Sequence, residues 1–367
     1  MNPFIVSGFA GAGYFCDRKS ELAKLKEAFR NGRNVTLYSL RRMGKSSLVK
    51  YLFSSLGKEA DCIYVDLFPA AALQDLTLLL AKAVTRHFGF TVKTFPKKIA
   101  ALLRAVNASL SVDPYTGKPE IKFGIGDARG KQENLEGILS YLEKSGKNVL
   151  IAFDEFQTIL RFPEKNTESM LRSLFQNCRN INFIFCGSSR GMMEAIFNDA
   201  ASPFYRSTQH LYLGEISREE YKSFITGKFR TGGIKIEEKQ AEFVLDTCRC
   251  HTYYVQYFCN RLYSKRFRGS DKMLYDTLDE ILLESQPVYN NYRNLLTDTQ
   301  WRLVKAVAKE GSVEKPLAAE FVNRYGLKSP SSIQRALASL LEKEILLNDN
   351  GKYLVYDVFF SLWLKKY

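Results

Sequence analysis

Three consecutive residues, Gly44, Lys45 and Ser46, have the chemistry to bind phosphate. They follow an apolar run of strand length at 34–40 and open a helical pattern, so they stand between a predicted strand and a predicted helix. In that context the backbone N–H groups of the loop and the N-terminus of the helix converge on phosphate oxygens. Lys45 would place its charge near the β- and γ-phosphates, and the Ser46 hydroxyl can bind Mg²⁺. The segment therefore predicts a nucleotide-binding loop.

The other residues of this loop are expected to contact the nucleotide as well. They are Ser39, Arg41, Arg42, Met43 and Ser47. Such loops usually begin with a glycine, but this chain has Ser39 there, and a serine has less freedom in its backbone angles than a glycine. Gly44 allows the backbone to approach the phosphates closely.

A pair of carboxylates, Asp154 and Glu155, follows a second apolar run at 149–153. In sheets of parallel strands, ligands bind at the edge where the strands end. We therefore expect Asp154 to hold Mg²⁺, directly or through water, and Glu155 to act as the general base that activates water. The alternative is a strand that simply ends in two solvated acids.

Two further residues are candidates for the same site. Ser188 follows a third buried run at 182–186, where it could orient water or sense the γ-phosphate, or could serve only in capping the helix at 191–197. Arg206 follows a turn and could reach a phosphate from the same subunit or from a neighbour. The predicted catalytic residues are thus Glu155, Lys45 and Arg206, and an oligomer formed on activation is compatible with them.

The elements that must position these residues alternate between short apolar strands and helices of ten to fifteen residues. This alternation predicts an α/β fold, a P-loop NTPase with a parallel sheet covered by helices. We assign residues 1–215 to this ATPase core, with an inserted hairpin near 109–126 whose turn contains Pro114 and Gly117. Strand patterns end near residue 215.

The remainder of the chain is predicted to be mainly helical. Residues 216–290 form a helical lid, and residues 286–296 are polar and aromatic with one proline, which suggests a connector. Residues 291–367 show three helical segments and then two short β-rich runs joined by Asp349, Asn350 and Gly351. Three helices followed by a hairpin is the order of a winged helix.

The composition excludes several classes of protein. The 367 residues include 46% hydrophobic and 25% charged residues, which is typical of folded domains and not of collagen-like or disordered chains. The net charge of +14 is compatible with a polyanionic partner such as DNA. Seven cysteines without a CxxC pair, an N-terminus unlike a signal peptide and the lack of a long apolar run predict a reduced, cytoplasmic protein that does not cross a membrane.

A set of motifs in a fixed order resembles the archaeal-type AAA-like P-loop ATPases of the STAND branch, which also occur in bacteria. The motifs are FCDRKSEL at 15–22, LYSLRRMGKSSL at 37–48, FDEFQ at 153–157, CGSS at 186–189, SPFYR at 202–206, CHTYYVQ at 250–256 and DVFFSLWL at 357–364. The resemblance covers nearly the whole chain. In the lid motif, Cys250 replaces the usual glycine and Thr252 the usual proline.

The resemblance implies ATP or ADP with Mg²⁺ as the ligands. It places Asp17 and Arg18 over the adenine and His251 against the nucleotide from the lid. From the residues alone, His251 could equally be an ordinary histidine of an amphipathic helix.

Three functions follow from these features. The first is an ATP-hydrolysing molecular switch in which the nucleotide state changes the arrangement of the lid and the winged helix, and for which an unknown protein partner is expected. The second is an ATP-regulated DNA-binding protein that acts through its winged helix. The third helix of that domain carries Gln334 and Arg335, and a basic run lies in the lid at 265–268. The third is a signalling scaffold that holds nucleotide with little turnover.

Overall fold

The computed structural model describes residues 2–88, 108–112, 119–123 and 128–367, and these form two compact units. One unit is Gly8–Gly214. The other is Glu215–Tyr367 together with the N-terminal segment that ends at Ser7. Pro114 and Gly117, at which we predicted the turn of the hairpin, lie outside the described residues.

The first unit is built on a five-stranded sheet. Its strands and those of a separate hairpin are β1 (Val35–Tyr38), β2 (Asp61–Asp66), β3 (Ala108–Val112), β4 (Pro119–Phe123), β5 (Val149–Asp154), β6 (Ile181–Gly187) and β7 (Gln209–Tyr212). The five strands have the order β2-β5-β6-β1-β7, and every neighbouring pair is parallel. Strands β3 and β4 pair with each other in antiparallel orientation. The sheet confirms the predicted α/β fold.

Helices cover both faces of the sheet. They are α1 (Lys19–Arg30), α2 (Lys45–Leu56), α3 (Leu73–His87), α4 (Ala128–Glu143), α5 (Thr167–Gln176) and α6 (Arg190–Phe197), with a 3₁₀ helix at Phe156–Arg161. All six residues of β5 are buried. Ile151 and Phe153 belong to one hydrophobic core, and Leu150 and Ala152 to the core on the opposite face. The alternation explains why this strand is apolar throughout.

Strand β7 was not predicted. It lies at the edge of the sheet beside β1, and only Leu211 of its four residues is buried. A strand with one buried side chain has little hydrophobic pattern, so pairing with β1, and not its own composition, determines its conformation.

The second unit contains eight helices and one hairpin. The elements are α7 (Arg218–Thr231), α8 (Glu238–Thr247), α9 (Thr252–Ser264), α10 (Asp271–Leu295), α11 (Asp298–Glu310), α12 (Ala319–Arg324), α13 (Pro330–Glu342), β8 (Leu346–Asp349), β9 (Lys352–Val355) and α14 (Val358–Lys366). Helices α11 to α13 and the antiparallel β8–β9 hairpin have the predicted winged-helix order.

The predicted connector at 286–296 is wrong, because helix α10 continues through it to Leu295. Pro287 lies inside this helix and cannot donate a backbone hydrogen bond. The helix persists because Tyr289 and Tyr292 pack on Phe360 of α14, with ring centroids 5.0 and 5.1 Å apart. Since α10 spans residue 290, the division into a lid and a winged helix at that point stays a prediction.

Candidate nucleotide site

Three strand ends meet at one edge of the sheet. Strand β6 lies between β1 and β5, and all three run in the same direction. The residues after their carboxyl ends are therefore neighbours in space although they are far apart in sequence. Ser39 follows β1, Ser188 follows β6 and Asp154 ends β5.

The loop between β1 and α2 turns through two left-handed residues, Arg42 (φ 63°) and Gly44 (φ 95°). Ser39 is not left-handed, so the replacement of the usual glycine imposes no strain at that position. Its side chain is fully buried, and its hydroxyl donates a 2.7 Å hydrogen bond to the Leu40 carbonyl. Serine is thus compatible with the loop.

Lys45 is buried at the start of α2. Its Nζ donates hydrogen bonds of 3.3 to 3.5 Å to Ser39 Oγ and to the Ser39 and Leu40 carbonyls, and no carboxylate of the described residues forms an ion pair with it. Burial lowers the pKa of Lys45, while Asp154 and Glu155 oppose that shift. A buried ammonium group with only long hydrogen bonds to neutral groups would be stabilised by an anion in the loop.

The Asp154 carboxylate accepts two hydrogen bonds on one oxygen. Ser46 Oγ donates to Oδ2 over 2.6 Å, and the Tyr64 hydroxyl of the neighbouring strand β2 donates to the same atom. Burial, and next the Asp154 charge, raise the pKa of Tyr64, so it stays a donor. Sequence reasoning missed Tyr64, because its role depends on the pairing of β2 with β5.

The Glu155 carboxylate is held by two side chains. Ser188 Oγ donates to Glu155 Oε2 over 2.6 Å, and Gln157 Nε2 donates to the same oxygen. Glu155 itself has a left-handed backbone (φ 54°), which is uncommon for glutamate. The structure thus places Ser188 beside Glu155, and its role toward water or the γ-phosphate stays a prediction. The structure also adds Gln157, which the motif FDEFQ contains but sequence reasoning did not single out.

Asp17 and Arg18 precede α1, and both have left-handed backbones. Arg18 is buried, donates a 2.7 Å hydrogen bond to the Gly214 carbonyl and forms an ion pair with Glu21 at 3.0 Å. It is the N-cap residue of α1. Through these contacts Arg18 anchors the segment that precedes α1. Contact of Asp17 or Arg18 with the adenine stays a prediction.

The remaining loop residues differ in exposure. Arg41 and Arg42 are exposed, whereas Met43 is buried. Ser47 Oγ donates a 3.1 Å hydrogen bond to the Gly8 carbonyl. A nucleotide contact by Met43 or Ser47 would therefore use backbone N–H groups, as phosphate-binding loops do.

Arg206 does not join the other candidates within the chain. It is exposed, three residues before β7, and its guanidinium lies over the Tyr205 ring at 5.1 Å. Gln209 at the start of β7 pairs with Val35 at the start of β1, whereas Lys45 follows the end of β1. Arg206 therefore lies near the amino-terminal ends of β1 and β7, whereas the loop lies at the carboxyl-terminal end of β1.

His251 belongs to the second unit. It is the N-cap residue of α9, so it does not lie inside an amphipathic helix, and its buried ring packs on Tyr254 at 4.8 Å. Cys250, which replaces the usual glycine, has a left-handed backbone (φ 51°). That conformation explains why a glycine suits this position.

Two other features bear on binding. Among the described residues, no group of three His, Cys, Asp or Glu side chains is arranged to hold a metal ion. No helix in the described ranges combines the length and apolar character that a membrane span requires.

Comparison with known families identifies the two regions of the chain. Residues 15–248 match the family model described as "ATPase domain predominantly from Archaea". This chain belongs to that ATPase family. Residues 287–366 match a family described as "probable winged helix domain".

Solved structures show the same fold as this archaeal-type ATPase. The Walker-type ATPase PABY2304 of Pyrococcus abyssi is 16% identical, with 99% of both chains covered and a TM-score of 0.68. The ORC2 protein of Aeropyrum pernix, solved as ADPNP and ADP complexes, is 13% identical, with 100% of this chain and 96% of that chain covered and a TM-score of 0.63. No curated protein sequence matches the chain. The structural similarity shows a P-loop ATPase core followed by a helical region and a winged helix.

Proposed function

We propose that this ATPase-family chain hydrolyses ATP and acts as a nucleotide-dependent molecular switch of the STAND type. The observation that carries the proposal is the 2.6 Å hydrogen bond from Ser46 Oγ to Asp154 Oδ2. Lys45, which precedes Ser46, is buried, and Glu155 follows Asp154 in the chain. A phosphate-binding cation, a pair of metal-ligating oxygens and a carboxylate base are the parts that ATP hydrolysis requires.

Ser46 and Asp154 would hold Mg²⁺. Hydroxyl and carboxylate oxygens are ligands that Mg²⁺ prefers, and the hydrogen bond from Ser46 Oγ to Asp154 Oδ2 keeps these two oxygens adjacent. Bound Mg²⁺ would neutralise charge on the β- and γ-phosphates. Lys45 would bind the same phosphates, and the Glu155 carboxylate would accept the proton of the attacking water.

Arg206 is proposed to act on the site of a neighbouring subunit. Strand β1 has four residues at about 3.3 Å each, so the two edges of the sheet are roughly 13 Å apart. Arg206 would have to span that distance to reach the loop of its own chain. An exposed position at the opposite edge instead suits contact with a second copy, which would make the active form an oligomer.

The base is tested by Glu155→Gln, which keeps the shape of the side chain but removes its capacity to take a proton. We expect ATP to bind with unchanged affinity and turnover to fall by about 10²–10⁴-fold. Glu59→Gln, an exposed acid paired with Arg30, is the matched control and should keep full turnover. Full turnover in Glu155→Gln would contradict the assignment of the base. ATP binding without turnover in the wild type would favour the nucleotide-holding scaffold.

The role of Arg206 is tested by mixing two inactive variants. Arg206→Ala protein has an intact loop, and Lys45→Ala protein has an intact arginine. If the arginine acts between subunits, the mixture should recover part of the activity that neither variant shows, and wild-type specific activity should rise with protein concentration. Wild-type turnover in Arg206→Ala with a lowered melting temperature would indicate a purely structural residue.

A second candidate function, nucleic-acid binding, is favoured by a group of cations on two adjoining turns of the second unit. Arg230 and Lys235 line a pocket of about 470 Å³. The turn at 264–270 packs beside them, since the Phe267 ring lies 6.3 Å from the Phe229 ring. Arg266 and Arg268 project from that second turn.

These four cations differ from others nearby. Each is exposed, and within the described chain none forms an ion pair, whereas Arg218 and Lys239 pair with acids. Unneutralised cations on adjoining turns suit a phosphodiester backbone. The double variant Arg266→Gln/Arg268→Gln should make the slope of log DNA affinity against log salt concentration shallower. The change should correspond to the loss of up to about two phosphate contacts on duplex DNA. The control double variant Arg218→Gln/Lys239→Gln lowers the net charge by the same amount and should leave the salt dependence of DNA binding unchanged. Equal effects of the two double variants would show that only net charge matters.

The proposed compartment is the cytoplasm, and the proposed mode of action includes a protein partner. All seven cysteines are free thiols, as in reduced compartments. A pull-down with Glu155→Gln protein, in the presence of ATP or ADP, would reveal partners that bind one nucleotide state.

A further inference from the structure

Gln157 lies where it can control the orientation of the Glu155 carboxylate. It is two residues further along the chain, in the 3₁₀ helix that follows β5, and it is buried with 8% of its surface exposed. Glu155 has a left-handed backbone where β5 ends and the 3₁₀ helix begins. From that helix the Gln157 side chain reaches the carboxylate.

The hydrogen bonds around Glu155 all involve one oxygen. Gln157 Nε2 donates to Oε2, and Ser188 Oγ donates to the same Oε2 over 2.6 Å. Gln157 Nε2 also lies 3.4 Å from Ser188 Oγ, so the three side chains form a closed network between the ends of β5 and β6. Neither donor uses Oε1, which leaves that oxygen to accept a proton.

The orientation of the Gln157 amide is determined by its surroundings. The reverse orientation would place Oε1 of Gln157 against the carboxylate, with two acceptors facing each other. In the observed orientation this Oε1 is buried without a hydrogen-bond partner. A buried acceptor without a partner costs free energy, so the network retains the amide at a cost to stability.

Gly187 provides the space for this amide. A Cβ at Gly187 would lie 2.7 Å from Gln157 Oε1 and would also overlap the buried Met193 side chain. The glycine at the end of β6 therefore allows the amide to sit beside the backbone. A residue enclosed in this way has little freedom to leave Glu155.

We propose that Gln157 is the positioning residue of Glu155: together with Ser188 it holds Oε2 and thereby presents Oε1 as the oxygen that takes the proton of water. This inference rests on the proposed ATPase function. Gln157 does not touch the reacting atoms in this assignment and acts only through Glu155.

The test is Gln157→Met, which keeps the length of the side chain and removes the donor. We expect kcat to fall by about 10-fold or more but less than in Glu155→Gln, with KM and ATP affinity within about twofold of wild type. Gln157→Leu also removes the donor and adds no charge, and it should reduce kcat in the same way; it serves if the Met variant does not fold.

A double-mutant cycle separates positioning from a structural effect. In the Glu155→Gln background the carboxylate is gone, so Gln157→Met should cause no further loss of residual turnover. The matched control is Gln240→Met in the second unit, which removes another buried amide that bonds the Gly269 carbonyl and Asp271. It should lower the melting temperature and leave kcat unchanged.

Three results would overturn the inference. The first is wild-type kcat in a folded Gln157 variant, and the second is an equal loss of turnover in the Glu155→Gln background. The third is a loss of ATP affinity that accounts for the whole effect. Wild-type protein without ATP turnover would remove the proposed function and this inference together, whereas turnover that Gln157 variants leave unchanged would overturn the inference alone.

Discussion

Arg249, in the turn between α8 and α9, binds the winged helix, and we expect Arg249→Met to destabilise the second unit. The guanidinium donates a 3.1 Å hydrogen bond to the Val355 carbonyl at the end of β9 and a 2.8 Å hydrogen bond to Ser361 Oγ in α14. Ser361 is fully buried. Methionine keeps the aliphatic part of the side chain and removes both donors, so packing losses stay small.

The size of the effect follows from these two bonds. A hydrogen bond from a charged donor contributes about 1.5–3 kcal/mol, and a buried group left without its partner adds to the cost of its loss. Burial lowers the pKa of Arg249, which shows that desolvation of the charge offsets part of this gain. A net loss of about 3 kcal/mol is expected, which corresponds to a fall in Tm of about 6–12 °C for a unit of this size.

The assay is thermal unfolding of the full chain, with Arg218→Met as the matched control. Arg218 lies in the same helical region, but its ion pair with Asp246 is exposed and such pairs contribute little. We expect the control to melt with the wild type within the error of the measurement. Equal melting temperatures for the two variants would refute the idea that the Arg249 contacts stabilise the second unit.

Two further predictions concern the nucleotide site. Lys45→Ala should abolish ATP binding in calorimetry because it removes the buried cation of the loop, and an affinity equal to that of the wild type would show that the site lies elsewhere. Tyr64→Phe removes the hydroxyl that bonds Asp154 and should raise the Mg²⁺ concentration for half-maximal turnover about 10-fold. Tyr51→Phe on α2, whose ring packs on Phe15 at 4.9 Å, is the control and should leave the Mg²⁺ dependence unchanged.

Local patterns in the sequence were sufficient for the elements that carry the site. A strand, a phosphate-binding loop and a helix are contiguous at 35–56, so Lys45 and Ser46 could be assigned from one segment. Strand β5 was recognisable because burial on both faces requires an unbroken apolar run, and Asp154 ends that run. The winged-helix order was equally local, since each helix and the hairpin has its own periodicity and turn residues.

The tertiary structure decided which distant residues meet. The strand order puts β2 beside β5 and β6 between β5 and β1, and this order brings Tyr64 to Asp154 and Ser188 to Glu155. It also places Arg206 at the far edge of the sheet. Periodicity reports only which side of an element is buried, so it contains no information on strand order or on the residues across the contact. For the same reason β7 and the end of α10 were not predictable: both owe their conformation to packing partners far away in the sequence.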